Sequence, residues 1–531
     1  MSCKRLAIIG AGSSGLVTLK HALDRLRGWE IVCFEKGGDA VGCWGNPYPG
    51  FVSTSTKFTT QFSCYRKWDC EADPASRAER EDFFRGAEYG QYLEEFSEAF
   101  GLEKHIRLHT TVERITRVEE GWKLWMEEGT EIFNRVIVCT GLAERPKKVN
   151  THLPLLQSMN DLPEGKEIVV LGGGESAADI AHRLAAPELG NRVYLSLKTG
   201  IRVSPRYHPI RGVPSDFLRN RLMLSIHRGL RNAIGQKFVE ARIRHREKFE
   251  RAFHANPEGH AQDESTNARR KQWDARLTAA AKDNLFNVFH TKSDEFLDDV
   301  AEERISIIGP PKGEGFREFS EFDGEGVIEI EPDIVCPMIG YTSGLEDLTD
   351  GALRVRDFHL GCLHVRHTDM FLVGFARPII GNVPTISEMQ AKLVVSLIAG
   401  NIERPRDLNS RHEQERERVE REFPLLNTEA LLPVEMFPYC DQLASMLNSL
   451  PTIRKVGIRR WWKIMRAPAS TLHYIDDDYS ADAVDSQRVH SPPIITGLLV
   501  LIKLIDLAYR RIRPRASSRE SVCSTGRRSA R

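Results

Sequence analysis

Apolar residues gather along the chain in two spacings. Leu6-Ala-Ile-Ile9 is a short continuous apolar run that ends at a glycine, the pattern of a parallel strand buried on both faces. From Gly15 to about Leu26 the apolar positions recur with helical spacing, and Trp29 to Phe34 forms a second strand. These predict one β-α-β unit. A second unit follows much later: strand Glu167-Ile-Val-Val-Leu171, turn Gly172-Gly-Gly174, helix Ser176 to Leu184 and strand Arg192-Val-Tyr-Leu-Ser-Leu197. Two separated units with glycine turns predict an α/β protein with two nested Rossmann-like dinucleotide-binding domains.

Between about Pro214 and Asn284 the chain is charged and helical, with little β character, and reads as an insertion. Strand patterns return at Val327-Ile-Glu-Ile330, Ile334-Val-Cys336 and Met370-Phe-Leu-Val-Gly374, and are assigned to completion of the first domain. The expected division is 1–150 and 327–405 for the first domain, 151–326 for the second with its insertion at 214–284, and 406–531 for a helical C-terminal tail. The tail carries an apolar segment, Ile494 to Tyr509, followed by Arg510-Arg-Ile-Arg513. At this length, and with Lys503 and Asp506 inside it, the segment is short for a membrane span. It leaves two readings, a monotopic membrane anchor and a helix docked on the protein. Ala516 to Arg531 is rich in serine and arginine and is expected to be disordered.

With 531 residues the chain exceeds one hydrophobic core, so two or three domains are expected. Lys plus Arg equals Asp plus Glu, 74 of each, which gives no electrostatic reason to expect a nucleic-acid partner. Ten cysteines occur without a C-x-x-C pair. That pattern argues for a reducing, cytoplasmic setting and against a disulfide scaffold, a disulfide reductase or a zinc site. Met-Ser-Cys-Lys-Arg runs straight into a strand, leaving no room there for a signal peptide. Oligomeric state is not legible, and a homo-oligomer stays open.

Gly10-Ala-Gly-Ser-Ser-Gly15 matches G-x-G-x-x-G. Gly10 permits the tight turn out of the strand, Gly12 lets a pyrophosphate approach the backbone, and Gly15 lets helix and strand pack closely. The helix N-terminus then offers amide donors to phosphate. Glu35 lies 20 residues past Gly15 at a strand end, where a carboxylate can accept ribose hydroxyls. The second loop, Gly172-Gly-Gly174-Glu-Ser-Ala177, is followed by a strand ending Ser196-Leu-Lys198 without an acid. Ser196 and Lys198 could bind a 2′-phosphate, which favours NADP over NAD. Gly172, Gly174 and Ser176 would cradle its pyrophosphate.

These residues resemble the flavin-containing monooxygenases. The resemblance runs in order through Gly10 to Gly15, Phe34-Glu-Lys36, Val41-Gly-Cys-Trp44, Ser53-Thr-Ser-Thr-Lys57, Gln61-Phe-Ser63, Val138-Cys-Thr-Gly141, Gly172 to Ala177, Cys336-Pro-Met-Ile-Gly-Tyr341 and Pro384-Thr-Ile-Ser-Glu-Met-Gln390. It implies FAD in the larger domain, with Gly10, Gly12, Ser13, Ser14 and Gly15 at its pyrophosphate and Glu35 on its ribose. It further implies Cys43 and Trp44 along the FAD, Val112 meeting the adenine through its backbone, and Gln390 near the flavin. Ser53, Thr54 and Ser55 would sit where flavin and nicotinamide meet, with Thr54 at the catalytic position. Thr385-Ile-Ser-Glu388 has capping-box spacing before a helix running from Met389 to Ala399, whose positive end would face the flavin.

The activity implied is N- or S-oxygenation of a small or lipophilic substrate by NADPH and molecular oxygen through a C4a-hydroperoxyflavin. The protein's part in such chemistry is positioning and exclusion of water, without a His/Asp/Ser constellation. The sequence departs from the family at two places. Thr54 stands where asparagine is usual before Ser55, and F-x-G-x-x-x-H is absent between Gly141 and Gly172, with Gln157-Ser158 in its region. These departures make an NADPH oxidase-like flavoprotein releasing hydrogen peroxide the runner-up. The absent fingerprint weighs against a further alternative, a Baeyer-Villiger-type oxygenase, whose fingerprint has the same histidine, and the intact glycine loops and Pro384 to Gln390 segment count against a non-catalytic nucleotide-binding protein.

Overall fold

The computed structural model describes residues 3–70, 81–143, 145–207, 213–245, 263–281, 290–293, 295–313, 315–475 and 478–512. The serine- and arginine-rich end and parts of the helical insertion (246–262 and 282–289) lie outside the described residues.

Strand Lys4–Ile9 lies inside a seven-stranded sheet, between Trp29–Phe34 and Arg135–Val138, all parallel. Met370–Leu372 adds in parallel beside Arg135–Val138, and two short antiparallel strands, Phe358–His359 and Leu363–His364, close that edge. Because a strand alternates its side chains, Lys4–Ile9 feeds two cores. Leu6 and Ile8 join the apolar cluster under helix Ser13–Arg25, while Ala7 and Ile9 join the cluster under a three-stranded antiparallel meander that includes Trp122, Leu124 and Phe133. Both faces are covered, which is why the run has no polar alternation.

The second sheet has the order Ile305–Ile308, Arg192–Ser196, Glu167–Leu171, Ile334–Pro337, all parallel. Ile168 and Val170 pack under helix Glu175–Leu184, and Val169 and Leu171 pack on Phe316, Phe319 and Ile330. Arg135–Val138 and Met370–Leu372 are neighbours in the first sheet, and the chain between them builds the second. The nesting expected from the two glycine turns is therefore present.

Two boundaries move. Ile334–Pro337 pairs with Glu167–Leu171, and Val327–Glu329 pairs with Glu318–Ser320, so both belong to the second domain and not to completion of the first. The apolar pattern identified them as strands but carried no information about their sheet. The chain beyond 405 is also more than a tail. Strand Leu432–Glu435 pairs in parallel with Ala376–Ile380, and helix Met436–Met446 buries Phe437, Tyr439, Cys440 and Leu443 in the core of the first domain. The apolar segment lies within helix Pro493–Ile512, docked near helix Arg221–Leu224. Among the described residues no helix is long and apolar enough to cross a membrane.

Candidate functional site

The first glycine loop connects Lys4–Ile9 to helix Ser13–Arg25. Gly10 has φ +96°, in the left-handed region, and a Cβ on Gly15 would stand 1.8 Å from the Gly10 carbonyl oxygen. Both positions need glycine for the fold itself. Gly12 differs, because a Cβ there would meet nothing nearer than Gly42 Cα at 3.5 Å, an ordinary contact. Gly12 is the helix N-cap, no side chain caps the helix, and its first turn holds no acid. Its leading amides are therefore free for an anion. Glu35, 8% exposed, is fixed at the adjacent strand end: Oε2 accepts from Ala11 N at 2.7 Å and Oε1 from Gly37 N at 2.8 Å. A strand-end carboxylate, a side-chain-free N-cap and an uncapped helix fit the pyrophosphate and ribose of a dinucleotide.

Around this cradle, Ser13 shares a hydrogen bond with Tyr89 at 3.1 Å, and Ser14 shares one with Ser387 at 2.9 Å. Cys43 is exposed, and Trp44 packs edge-on against Tyr89 at 4.8 Å between ring centroids. Val112 lies in the apolar cluster with Ile9 and Phe34, just after Thr110, whose amide donates to the Glu35 carbonyl at 2.9 Å.

The second loop repeats the architecture. A Cβ on Gly172 (φ +127°) would lie 2.3 Å from the Met338 carbonyl oxygen, whereas a Cβ on Gly174 would meet open space. Gly174 is the N-cap of helix Glu175–Leu184 without a side-chain cap. Ser176 is exposed, and so is Lys198 beyond the end of the neighbouring strand. Glu175 occupies the first turn. Burial pushes its carboxyl up to about 7 against the charges of Lys292, Arg377 and Arg206.

Strand Val52–Thr56 carries the segment expected at the junction. Ser53 Oγ donates to the Ser55 carbonyl at 2.7 Å and accepts from Phe84 N at 3.0 Å. Lys292 Nζ donates to the Thr54 carbonyl and to Asp216 Oδ1, the latter at 2.9 Å. Asp216 Oδ2 accepts from Thr56 N at 3.0 Å. Burial raises the Asp216 carboxyl, but the charges of Lys292 and Arg219 outweigh it and hold the group below its ordinary range. Arg206 donates to the Val52 and Ser53 carbonyls at 3.1 and 3.3 Å. Tyr48 donates to Asp179 Oδ2 at 2.5 Å, joining the segment after Trp44 to the helix of the second loop. The backbone of 52–56 is thus held from the second domain by three cationic or anionic side chains.

Three expectations are corrected. Helix Val383–Ile398 begins earlier than the capping-box spacing indicated, with Asn382 as its N-cap accepting from Thr385 N at 2.9 Å. Asparagine is a strong N-cap and proline is favoured in the first turn, so Asn382-Val-Pro384 starts the helix before Thr385 can. Glu388 instead accepts from Ser63 N at 3.0 Å and faces Lys392 at 3.5 Å. Gln390 is fully buried and its amide is committed to Gly374 N at 2.8 Å, Tyr439 OH at 2.6 Å and the Leu360 carbonyl, so its side chain serves the core and not a cofactor. Ser196 is buried and donates to the Gly309 carbonyl at 2.8 Å. With its one proton committed, it has no donor for a phosphate. Sequence reasoning missed Lys292, Asp216, Arg206 and Glu175. Glu175 was inside a recognised loop, but the other three sit in unpatterned stretches and reach the site only through tertiary packing.

Comparison with known proteins agrees with this architecture. The family profile described as FMO-like, flavin-binding monooxygenase-like, matches residues 3–475. Flavin-containing monooxygenase 1 of Mus musculus is 25% identical over 518 residues, covering 89% of this chain and 88% of that protein. The 4-hydroxybenzoate brominase (decarboxylating) of Marinomonas mediterranea is 25% identical over 437 residues, covering 75% and 74%. Among solved structures, cyclohexanone-bound cyclohexanone monooxygenase aligns with TM-score 0.56 at 17% identity over 84% of this chain and 98% of that one. The S-allyl-L-cysteine S-oxygenase of Allium sativum aligns with TM-score 0.52 at 17% identity over 91% and 98%. At such identities the two structures speak to fold alone. With the profile matched over nearly the whole chain, the protein belongs to the flavin-binding monooxygenase-like family, a flavin-dependent oxidoreductase whose cofactors are FAD and NADP.

Proposed function

We propose that the chain is an NADPH-dependent monooxygenase that oxygenates nitrogen or sulfur in a small or lipophilic substrate. FAD would lie at Gly10 to Gly15 and Glu35, and NADP at Gly172 to Ser176 and Lys198. When bound, the flavin supplies hydride acceptance and oxygen activation. The chain's residues do the rest. The two uncapped helix ends hold the pyrophosphates. Lys292, Asp216 and Arg206 fix the 52–56 backbone, so Thr54 presents its hydroxyl from a rigid strand. The observation that carries the reading is that both glycine-loop helices begin without a side-chain cap, while side chains of the second domain brace the backbone of strand Val52–Thr56. Among the described residues of the two glycine loops and of strand Val52–Thr56, no side chain forms a nucleophile–histidine pair, which suits a reaction whose oxygen donor is the cofactor.

Thr54 and the missing histidine fingerprint favour one second reading, a peroxide-releasing NADPH oxidase. The brominase relatives add halide as a further oxygen acceptor to test. Purified protein supplied with NADPH, oxygen and separate thioether, tertiary amine, ketone or bromide probes distinguishes these. Sulfoxide or N-oxide in step with NADPH consumption supports the proposal. Peroxide alone, a lactone or ester, or bromination would each replace it.

We also propose that helix Pro493–Ile512 rests on an anionic membrane surface. One side is held to the protein, with Lys503 donating to the Ser225 carbonyl and Asp506 Oδ2 accepting from His227 N at 3.3 Å. Ile494, Leu498, Leu501, Leu504, Ile505 and Leu507 are exposed, and the sequence continues into Arg510, Arg511 and Arg513. An apolar stripe ending in arginines suits interfacial binding. Co-sedimentation with phosphatidylserine vesicles should fall on Leu501→Glu with Ile505→Glu. Equal sedimentation of the double variant would contradict it.

A further inference from the structure

Helix Leu408–Glu422 carries His412 and Glu415 three residues apart, hence on one face. It packs on strand Phe358–His359, which brings His359 beside them. One potential ligand atom from each of His359, His412 and Glu415 lies within 4.8 Å of the other two. His359 Nδ1 and Glu415 Oε2 are 3.0 Å apart, and both side chains are 8% exposed. Nδ1 of each histidine is buried without a hydrogen-bond partner. A buried unsatisfied polar atom costs about 1–3 kcal/mol; Glu415 at 3.0 Å offsets that cost for His359 Nδ1, but His412 Nδ1 has no such neighbour among the described residues.

The surroundings suit a cation. Glu415 Oε2 also accepts from Leu360 N at 2.8 Å, which fixes the carboxylate. Arg356 and Arg416 are both occupied by Glu429. A small cavity whose lining includes His412, Glu415, Arg356, Arg416, Glu420 and Leu432 offers about 20 Å³ to a water-sized molecule, enough for one water.

We propose that His359, His412 and Glu415 form a binding site for a divalent first-row transition ion, with a cavity water as fourth ligand. Two imidazoles and one carboxylate are a zinc-type donor set, with bonds of about 2.0–2.2 Å. The ion clamps the 408–422 helix to the antiparallel edge of the flavin sheet. The cysteine count, which argued against zinc, does not bear on a site built from histidine and glutamate by tertiary contact. The other convergent trio, His21, Cys64 and Glu388, already holds a cation, because Lys392 lies 3.5 Å from Glu388.

The test uses full-length, FAD-loaded protein stripped with EDTA, titrated with Zn2+ by calorimetry and with Co2+ by absorption. One ion per chain and a higher melting temperature with Zn2+ are expected. His412→Ala and Glu415→Gln should each weaken binding at least ~10-fold while FAD content stays unchanged. The glutamine keeps an acceptor for Leu360 N, so it separates lost charge from lost packing. If His412→Ala does not fold, His412→Cys should add a thiolate-to-cobalt charge-transfer band. Absence of uptake by the wild type, undiminished uptake in both variants, or an unaltered cobalt spectrum in His412→Cys overturns the site.

Discussion

Gly12 and Gly15 sit three residues apart in one loop and make opposite predictions. Gly15 is glycine because any Cβ collides with the Gly10 carbonyl. Gly15→Ala should therefore fail as a fold, giving insoluble or strongly destabilised protein in a thermal melt. Gly12 has room for a methyl group in the protein itself. Gly12→Ala should melt near the wild-type temperature yet purify with less FAD, because the added carbon stands where the pyrophosphate would approach. Normal FAD content in folded Gly12→Ala would remove that loop as the flavin site. Glu175 carries a pH prediction. Its native pKa, raised to about 7, exceeds the ordinary carboxyl value, so between those values the folded state holds a proton that the unfolded chain has lost. Its contribution to stability therefore falls as pH rises through that window. In the same direction, ionisation above about 7 places a negative charge in the first turn of the helix proposed to hold NADP phosphates. KM for NADPH should rise above pH 7, and Glu175→Gln should flatten that rise. A profile unaffected by the substitution would exclude this role.

Among the elements, strand Val52–Thr56 depends on side chains far away in sequence. Lys292 and Asp216 are both buried, and removing Lys292 leaves the Asp216 charge with only the looser contact to Arg219 at 3.6 Å. Lys292→Met should cost about 3–5 kcal/mol in urea unfolding. Adding Asp216→Asn should recover part of that loss, because the buried charge is then gone. If the double variant is no more stable than Lys292→Met, the two groups do not act as a pair. At this scale the sequence was informative where an element is defined locally. The two glycine loops, the strand before each and the helix after each follow from residues within about ten positions. The assignment of Ile334–Pro337 to a sheet does not, because an apolar parallel strand looks the same in either. Nor does the cap of helix Val383–Ile398, where Asn382 and the later Thr385-Ile-Ser-Glu388 both have N-terminal spacing, or the site contacts of Lys292 and Asp216, which lie in unpatterned chain.

For the whole molecule, two nested α/β domains each carry a glycine-loop helix without a side-chain N-cap, and helix Met436–Met446 completes the first core. Nested topology was legible because one β-α-β unit begins at Leu6 and the other at Glu167, with strand patterns resuming afterwards. The packing of 432–446 into the first domain was not, since helical periodicity shows that a face is buried but not against what. The chemistry rests on the junction, and one experiment addresses it most directly: single-turnover mixing of the flavin-loaded protein with NADPH, then with oxygen and a thioether, with sulfoxide and peroxide quantified against NADPH. The expected result is anaerobic bleaching of the flavin by NADPH, followed by close to one sulfoxide per NADPH consumed. Bleaching followed by peroxide alone, or no bleaching, would contradict it.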